Sequence, residues 1–329
     1  MKKILNRVED AAMDMVRGIA AANPDVELDA RYKIIKRRDI RQDRVALVSG
    51  GGSGHEPSHA GFVGKGALTA AVAGDVFASP STMQIYNAIL QTRTEKGTLL
   101  IIKNYSGDCM NFDSAAELAE DDDIEIEKVY VNDDIAVEDS LYTIGRRGVA
   151  GTLFVHKIAG AAAEAGADLS EVKRIAEKVV ANVKSIGLAL TSCTVPAKGT
   201  PTFSLGEDEI EFGVGIHGEP GIERRKLRDS KELAEDMVGM LLAEMNLSES
   251  DVCAVMVNGL GGTPLMELSI QYRDVHEILS AKGIGVHKAF VGNYMTSLDM
   301  AGFSVTLLKL DAETRELLDA SSGAPAMTV

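Results

Sequence analysis

Apolar positions along this chain fall into two alternating patterns. Residues 44–49 (RVALVS), 97–104 (GTLLIIKN), 126–132 (IEKVYVN), 252–259 (VCAVMVNG), 287–292 (HKAFVG) and 303–310 (FSVTLLKL) are short, largely apolar runs rich in valine, isoleucine and leucine. Runs of this length bounded by glycine, asparagine or charge predict buried strands. Between them, residues 81–92, 114–122, 150–166, 169–183, 229–245 and 264–283 space their apolar side chains by three and four, as amphipathic helices do. The alternation predicts an α/β protein with mixed, mostly parallel sheets covered by helices. Helical spacing dominates from about residue 140 to 183, and a turn-rich, strand-like stretch follows. Two α/β domains are therefore expected, 1–183 and 184–329, each long enough to bury a core.

Charge narrows the function. The formal net charge is -15, from 34 Lys and Arg against 49 Asp and Glu. That sign is wrong for gripping a phosphate backbone, so no nucleic acid partner is expected. Cys109, Cys193 and Cys253 lie far apart without CxxC spacing, which predicts neither a disulfide framework nor a thiolate metal site. No run approaches the ~20 apolar residues of a membrane helix, and the first residues carry charge where a signal peptide is apolar. A reduced, cytoplasmic setting without membrane contact is the expectation.

Candidate chemistry concentrates in three segments. The first is SGGGSGHEPSH, Ser49 to His59, with glycines at 50, 51, 52 and 54. It lacks the GK[ST] of a P-loop, and Pro57 occupies the position of the third glycine in GxGxxG. HEPSH spells HExxH, but that motif needs both imidazoles on one helix face, and Pro57 between them breaks the helix. No metal site is expected. What remains is a strand delivering a glycine-rich turn at the start of a helix, with the backbone around Gly52 and Ser53 free to approach a small polar molecule. The second segment, KNYSGD, sets Lys103 and Asp108 at the mouth of the next strand. The third, GVGIHGEPG, places His217 among small residues. His59, His156, His276 and His287 read as structural, GRRGV from 145 as a solvated turn of a long helix, and Ser79 and Thr263 as helix caps; a ligand contact stays open for the glycines at 259, 261 and 262.

These segments, together with GDVFASP, SLYTIGRRGVAGT, ALTSCTVPA, LGGTPLMEL and TSLDMAGFSVTLLKLD, resemble the dihydroxyacetone-binding DhaK subunit of dihydroxyacetone kinases over almost the whole chain. The resemblance implies that His217 holds the ketone covalently as a hemiaminal, that Asp108 is the general base at its terminal hydroxyl, and that His55 assists at the adduct. Lys103, Gly52 and Ser53 match substrate contacts. It further implies that this chain binds no cofactor. By the same resemblance, ADP or ATP with Mg is expected on a DhaL-type partner recharged by a DhaM-type phosphocarrier of the phosphotransferase system, and the chain is expected to be a homodimer. A kinase subunit for erythrulose and a non-catalytic, ketone-sensing coactivator are the alternatives.

Overall fold

The structure is a computed structural model, and the residues it describes are 2–138, 143, 145–219 and 221–327. Twelve strands form two six-stranded sheets. The first has the order β1 (Val26–Asp29), β2 (Ile34–Arg37), β4 (Ala70–Val76), β3 (Ala46–Ser53), β5 (Thr98–Lys103) and β6 (Ile126–Val131). The second runs β11 (Gly285–Gly292), β10 (Val252–Gly259), β12 (Gly302–Leu310), β7 (Val183–Ala189), β8 (Glu209–Phe212) and β9 (Glu223–Lys226). All six runs expected to be strands are strands. Both sheets are mixed and helix-covered, but parallel pairing prevails only in the first. There β4, β3, β5 and β6 are mutually parallel, whereas only β10 and β11 pair in parallel in the second. The expected predominance of parallel strands does not extend past residue 183, because the described residues that join β7, β8 and β9 form loops rather than crossover helices.

The helices are α1 (Ala11–Ala22), α2 (Thr82–Thr92), α3 (Ser106–Glu120), α4 (Thr152–Ala165), α5 (Leu169–Asn182), α6 (Ser230–Met245), α7 (Leu265–Ala281) and α8 (Ala312–Asp319). Apolar residues of α2 and α3 cover one face of the first sheet, with Ile85, Ile89 and Phe112 against Val48, Leu100 and Ile102. On the second sheet α6 and α7 do the same, through Leu233, Met237, Val275 and Leu279. Helices α4 and α5 lie between the sheets, in one cluster that joins Leu99 and Ile101 of β5 to Met256 of β10 and Leu308 of β12. Every residue of α4 from Thr152 to Ala163 is buried, His156 and Lys157 included, as befits a helix packed on all sides. Residue 183 thus separates the sheets, while the apolar core runs across it.

Candidate active site

The glycine run is part of the sheet, not a turn before a helix. Strand β3 continues through Gly50, Gly51 and Gly52 to Ser53, and only a single 3-10 turn, Ala60–Phe62, follows. The expected helix directly after the glycine-rich turn is therefore corrected. The glycines are needed for close approach: a Cβ at Gly51 would stand 2.4 Å from Lys103 Nζ, and one at Gly52 2.7 Å from the backbone nitrogen of Ala78. Past the strand end, Gly54 donates its N–H to both carboxylate oxygens of Glu56.

The two histidines of HEPSH part company here. His55 turns toward the second half of the chain and His59 toward α4, where its Nδ1 lies 2.9 Å from His156 Nε2. His55 Nδ1 lies 2.8 Å from the carbonyl oxygen of Thr296, and its Nε2 lies 3.1 Å from His217 Nε2. The loop after β11 clamps this turn: Thr296 donates its N–H to His55 O and its hydroxyl to Glu56 O, while Leu298 donates to Gly54 O. Asn258, at the end of β10, fixes the clamp by accepting from Tyr294 and Met295 and donating to Met295 O. Gly259, Gly261 and Gly262 pack against Asn293, Leu298 and Asp299, which gives them a packing role.

His217 stands on the loop after β8. Its backbone N–H donates to Glu219 Oε2 at 2.7 Å, and a Cβ at Gly215 would overlap Glu219 Oε1, so glycine is required there. Glu219 is held by Arg147, whose guanidinium also binds Asp134 and Gly213 O. Arg147, fully buried, is the pivot of this network rather than part of the expected solvated turn. Burial opposes its charge, but Asp134 and Glu219 outweigh that and hold it protonated. Burial pushes Asp134 up to about 6 in spite of the arginine.

The His217 ring is walled by aromatic side chains, with Tyr105 edge-on at 4.5 Å between centroids and Phe77 at 5.3 Å. One edge faces a cleft of about 470 Å³, lined also by Gly52, Ser79, Gly107 and Asp108. Ser79 thus lines the cleft; the N-cap of α2 is Ser81. Burial lowers the His217 pKa to about 3, with the charges of Lys103 and Arg147 acting in the same direction. Burial likewise takes His55 well below its ordinary value, helped by His217 and Lys103. Both rings are neutral at pH 7, which settles the protons. The Thr296 carbonyl can only accept, so His55 carries its hydrogen on Nδ1, and the hydrogen between the two Nε2 atoms belongs to His217. Across the cleft floor, Lys103 Nζ donates to Asp108 Oδ2 at 2.9 Å and to Gly50 O at 3.3 Å. Asp108 belongs to the first turn of α3, which begins at Ser106 and so is longer than the apolar spacing suggested. Ser53 lies just behind, its hydroxyl donating to Gly74 O. His217, His55, Lys103, Asp108 and the Gly52–Ser53 backbone thus meet from both halves of the chain, while Phe77, Tyr105, Arg147 and Glu219 complete a site to which sequence reasoning had not assigned them.

Residues 17–326 match the Dak1 domain family. The chain belongs to the Dak1 family. This Dak1 chain is 55% identical to the PTS-dependent dihydroxyacetone kinase 1, dihydroxyacetone-binding subunit DhaK, of Listeria innocua, over 95% of each chain. Among solved structures, the dihydroxyacetone kinase operon co-activator Dha-DhaQ matches it with a TM-score of 0.91 at 37% identity, covering 95% of this chain and 97% of that one. The dihydroxyacetone kinase from C. freundii in complex with AMP-PNP and Mg2+ also matches with a TM-score of 0.91, at 38% identity; the match covers 98% of the Dak1 chain but 60% of the C. freundii one. Among the described residues of the Dak1 chain, no helix is long and apolar enough to cross a membrane.

Proposed function

We propose that this chain is the dihydroxyacetone-binding subunit of a dihydroxyacetone kinase, in which His217 Nε2 forms a hemiaminal with the substrate carbonyl. The observation that carries the reading is the pair of neutral imidazoles, Nε2 to Nε2 at 3.1 Å, at the wall of a cleft that also holds Asp108. His217 Nε2 loses its hydrogen to His55 Nε2 as its electron pair bonds the carbonyl carbon. The carbonyl π pair moves onto oxygen, and His55 returns the proton there, so that N–H has added across C=O. The Thr296 carbonyl supports this role by stabilising the charge that His55 carries in passing. Glycerol has no carbonyl and cannot be held this way.

Asp108 then accepts the proton of the substrate's terminal hydroxyl as that oxygen attacks phosphorus, with Lys103 holding the carboxylate in place. The phosphoryl group, nucleotide and Mg come from a DhaL-type partner, itself recharged by a DhaM-type phosphocarrier, and the chain works as a homodimer in the cytoplasm. In-line transfer needs a donor at the open side of the cleft, and this chain's contribution is the hydroxyl side. The higher identity to a kinase subunit than to the co-activator favours turnover over sensing. Intact mass of the native chain incubated with dihydroxyacetone tests the bond: one ketone is added to the wild type and none to His217→Ala. Mixing with a nucleotide-loaded partner then tests turnover. A labelled chain that never yields dihydroxyacetone phosphate is a sensor, and higher kcat/KM with erythrulose reassigns the substrate.

A further inference from the structure

Behind the cleft, the mechanism above leaves one buried pair of titratable side chains unused. His59 and His156 are 5% and 0% exposed, and Lys103 is 0% exposed. Their rings share one hydrogen between His59 Nδ1 and His156 Nε2. The far nitrogen of His59, Nε2, is buried with no hydrogen-bond partner among the protein atoms. That nitrogen and Lys103 Nζ look onto the same space: a Cβ at Gly51 would be 2.4 Å from Nζ and 3.5 Å from His59 Nε2. A cavity of about 10 Å³, the size of roughly one water, borders Gly51, His59, Glu56 and Ser58 together with the apolar Met15 and Ala71; its lining includes Gly51 but not Lys103, which lies against Gly51. Lys103 spends two of its three ammonium hydrogens on Asp108 and Gly50 O, which leaves one for this side.

The ammonium also fixes the tautomer. An N–H on His59 Nε2 would point a positive dipole at a cation, whereas a lone pair there is attracted to it. His59 therefore carries its hydrogen on Nδ1 and donates it to His156. We propose that His59 is a positioning residue for Lys103: its Nε2 lone pair receives the third ammonium hydrogen through a single water beside Gly51, and His156 holds the ring in the orientation that allows this. Lys103 is thereby anchored on three sides, and its contact with Asp108 is kept at hydrogen-bond length while the substrate hydroxyl gives up its proton. Gly51 is the residue that makes room for the link.

This inference rests on the reading of Asp108 as general base, and two variants separate it from a role in packing. His59→Gln keeps an acceptor where Nε2 stood and loses the atom facing His156. His59→Asn does the reverse, keeping the contact near Nδ1 and losing the one toward Lys103. The expected result with the nucleotide-loaded partner is a kcat about tenfold lower in His59→Asn, with KM and the ketone mass increment unchanged and the acid limb of the kcat profile moved to higher pH. His59→Gln should stay within about twofold of wild type. Equal impairment of both, or an Asn variant as active as wild type, overturns the proposal. Should neither variant fold, a high-resolution crystal structure of the wild-type chain decides: an ordered water within hydrogen-bond distance of both Lys103 Nζ and His59 Nε2 supports it, and none there refutes it. A wild-type chain that gains no ketone mass or makes no product would instead overturn the functional reading.

Discussion

Replacing Arg147 by methionine isolates the support of the His217 loop. The guanidinium is fully buried and binds Asp134 Oδ2 at 2.8 Å through Nε, Gly213 O at 2.8 Å through Nη2, and Glu219 Oε1 at 3.5 Å through Nη1. Methionine fills much of the volume but leaves two carboxylates, 1% and 4% exposed, without their cation. Breaking a buried pair from one side costs about 3–5 kcal/mol, because the remaining charge stays desolvated. With an unfolding entropy of about 2.1 cal/mol/K per residue, that lowers Tm by about 4–7 °C for a chain of this length. Differential scanning calorimetry measures it. Because Glu219 holds the His217 N–H at 2.7 Å, the yield of ketone adduct should fall with it. Adding Asp134→Asn and Glu219→Gln removes the orphaned charges and should return most of the lost Tm. A methionine variant that melts within about 1 °C of wild type would refute the reasoning, since it would mean that the network contributes nothing net.

Other outcomes follow from the same geometry. Asp108→Asn should keep the ketone mass increment and lose about 10²–10⁴ in kcat, as removal of a general base does, with steady-state kinetics as the check. In Gly51→Ala the new methyl group collides with Lys103 Nζ, the far end of a long side chain that can shift away from Asp108, so the protein should fold while kcat falls by at least about tenfold. Acid should destabilise the fold. His156 is depressed from 6.5 to about 3 by burial, aided by the charge of Lys103, and burial moves His55 and His59 in the same direction. Their contribution is complete above pH 6.5, where neither state is protonated, and is lost as pH falls toward 3, because the unfolded chain takes up protons first. At pH 5 the loss is about 2 kcal/mol for His156, with His55 and His59 adding in the same direction, and urea titrations at pH 7.5 and 5.0 measure it.

What could be read from the residues depended on how local the signal was. Of the six strands read from composition, β3, β5, β10 and β12 are apolar runs buried within a sheet, while β6 and β11 are partly exposed edge strands that keep enough apolar residues to be seen. β1, β2, β8 and β9 are four residues each and carry charge, and β4 is mostly alanine and glycine; their pairing is decided by neighbours, not by their own composition. The site shows the same divide. His55, Lys103, Asp108 and His217 stood out as chemical groups beside glycine-rich strand ends, and the fold brings them together. Arg147 did not, since GRRG resembles a surface turn and its acidic partners lie 13 and 72 residues away in sequence. Tyr105 and Phe77 carry no mark of their role until the His217 ring is seen between them. HEPSH illustrates the converse, a perfect letter match whose two imidazoles face different partners.

The slab formed by α4 and α5 ties the two halves into a single folding problem. Each sheet lends these helices one wall, so a fragment ending at residue 183 would bare Leu153, Phe154 and their neighbours on the side where Met256, Phe290 and Leu308 now press. Such a fragment is an aggregation hazard rather than an independent module, and recombination between relatives should succeed at the outer helices well before it succeeds at this junction.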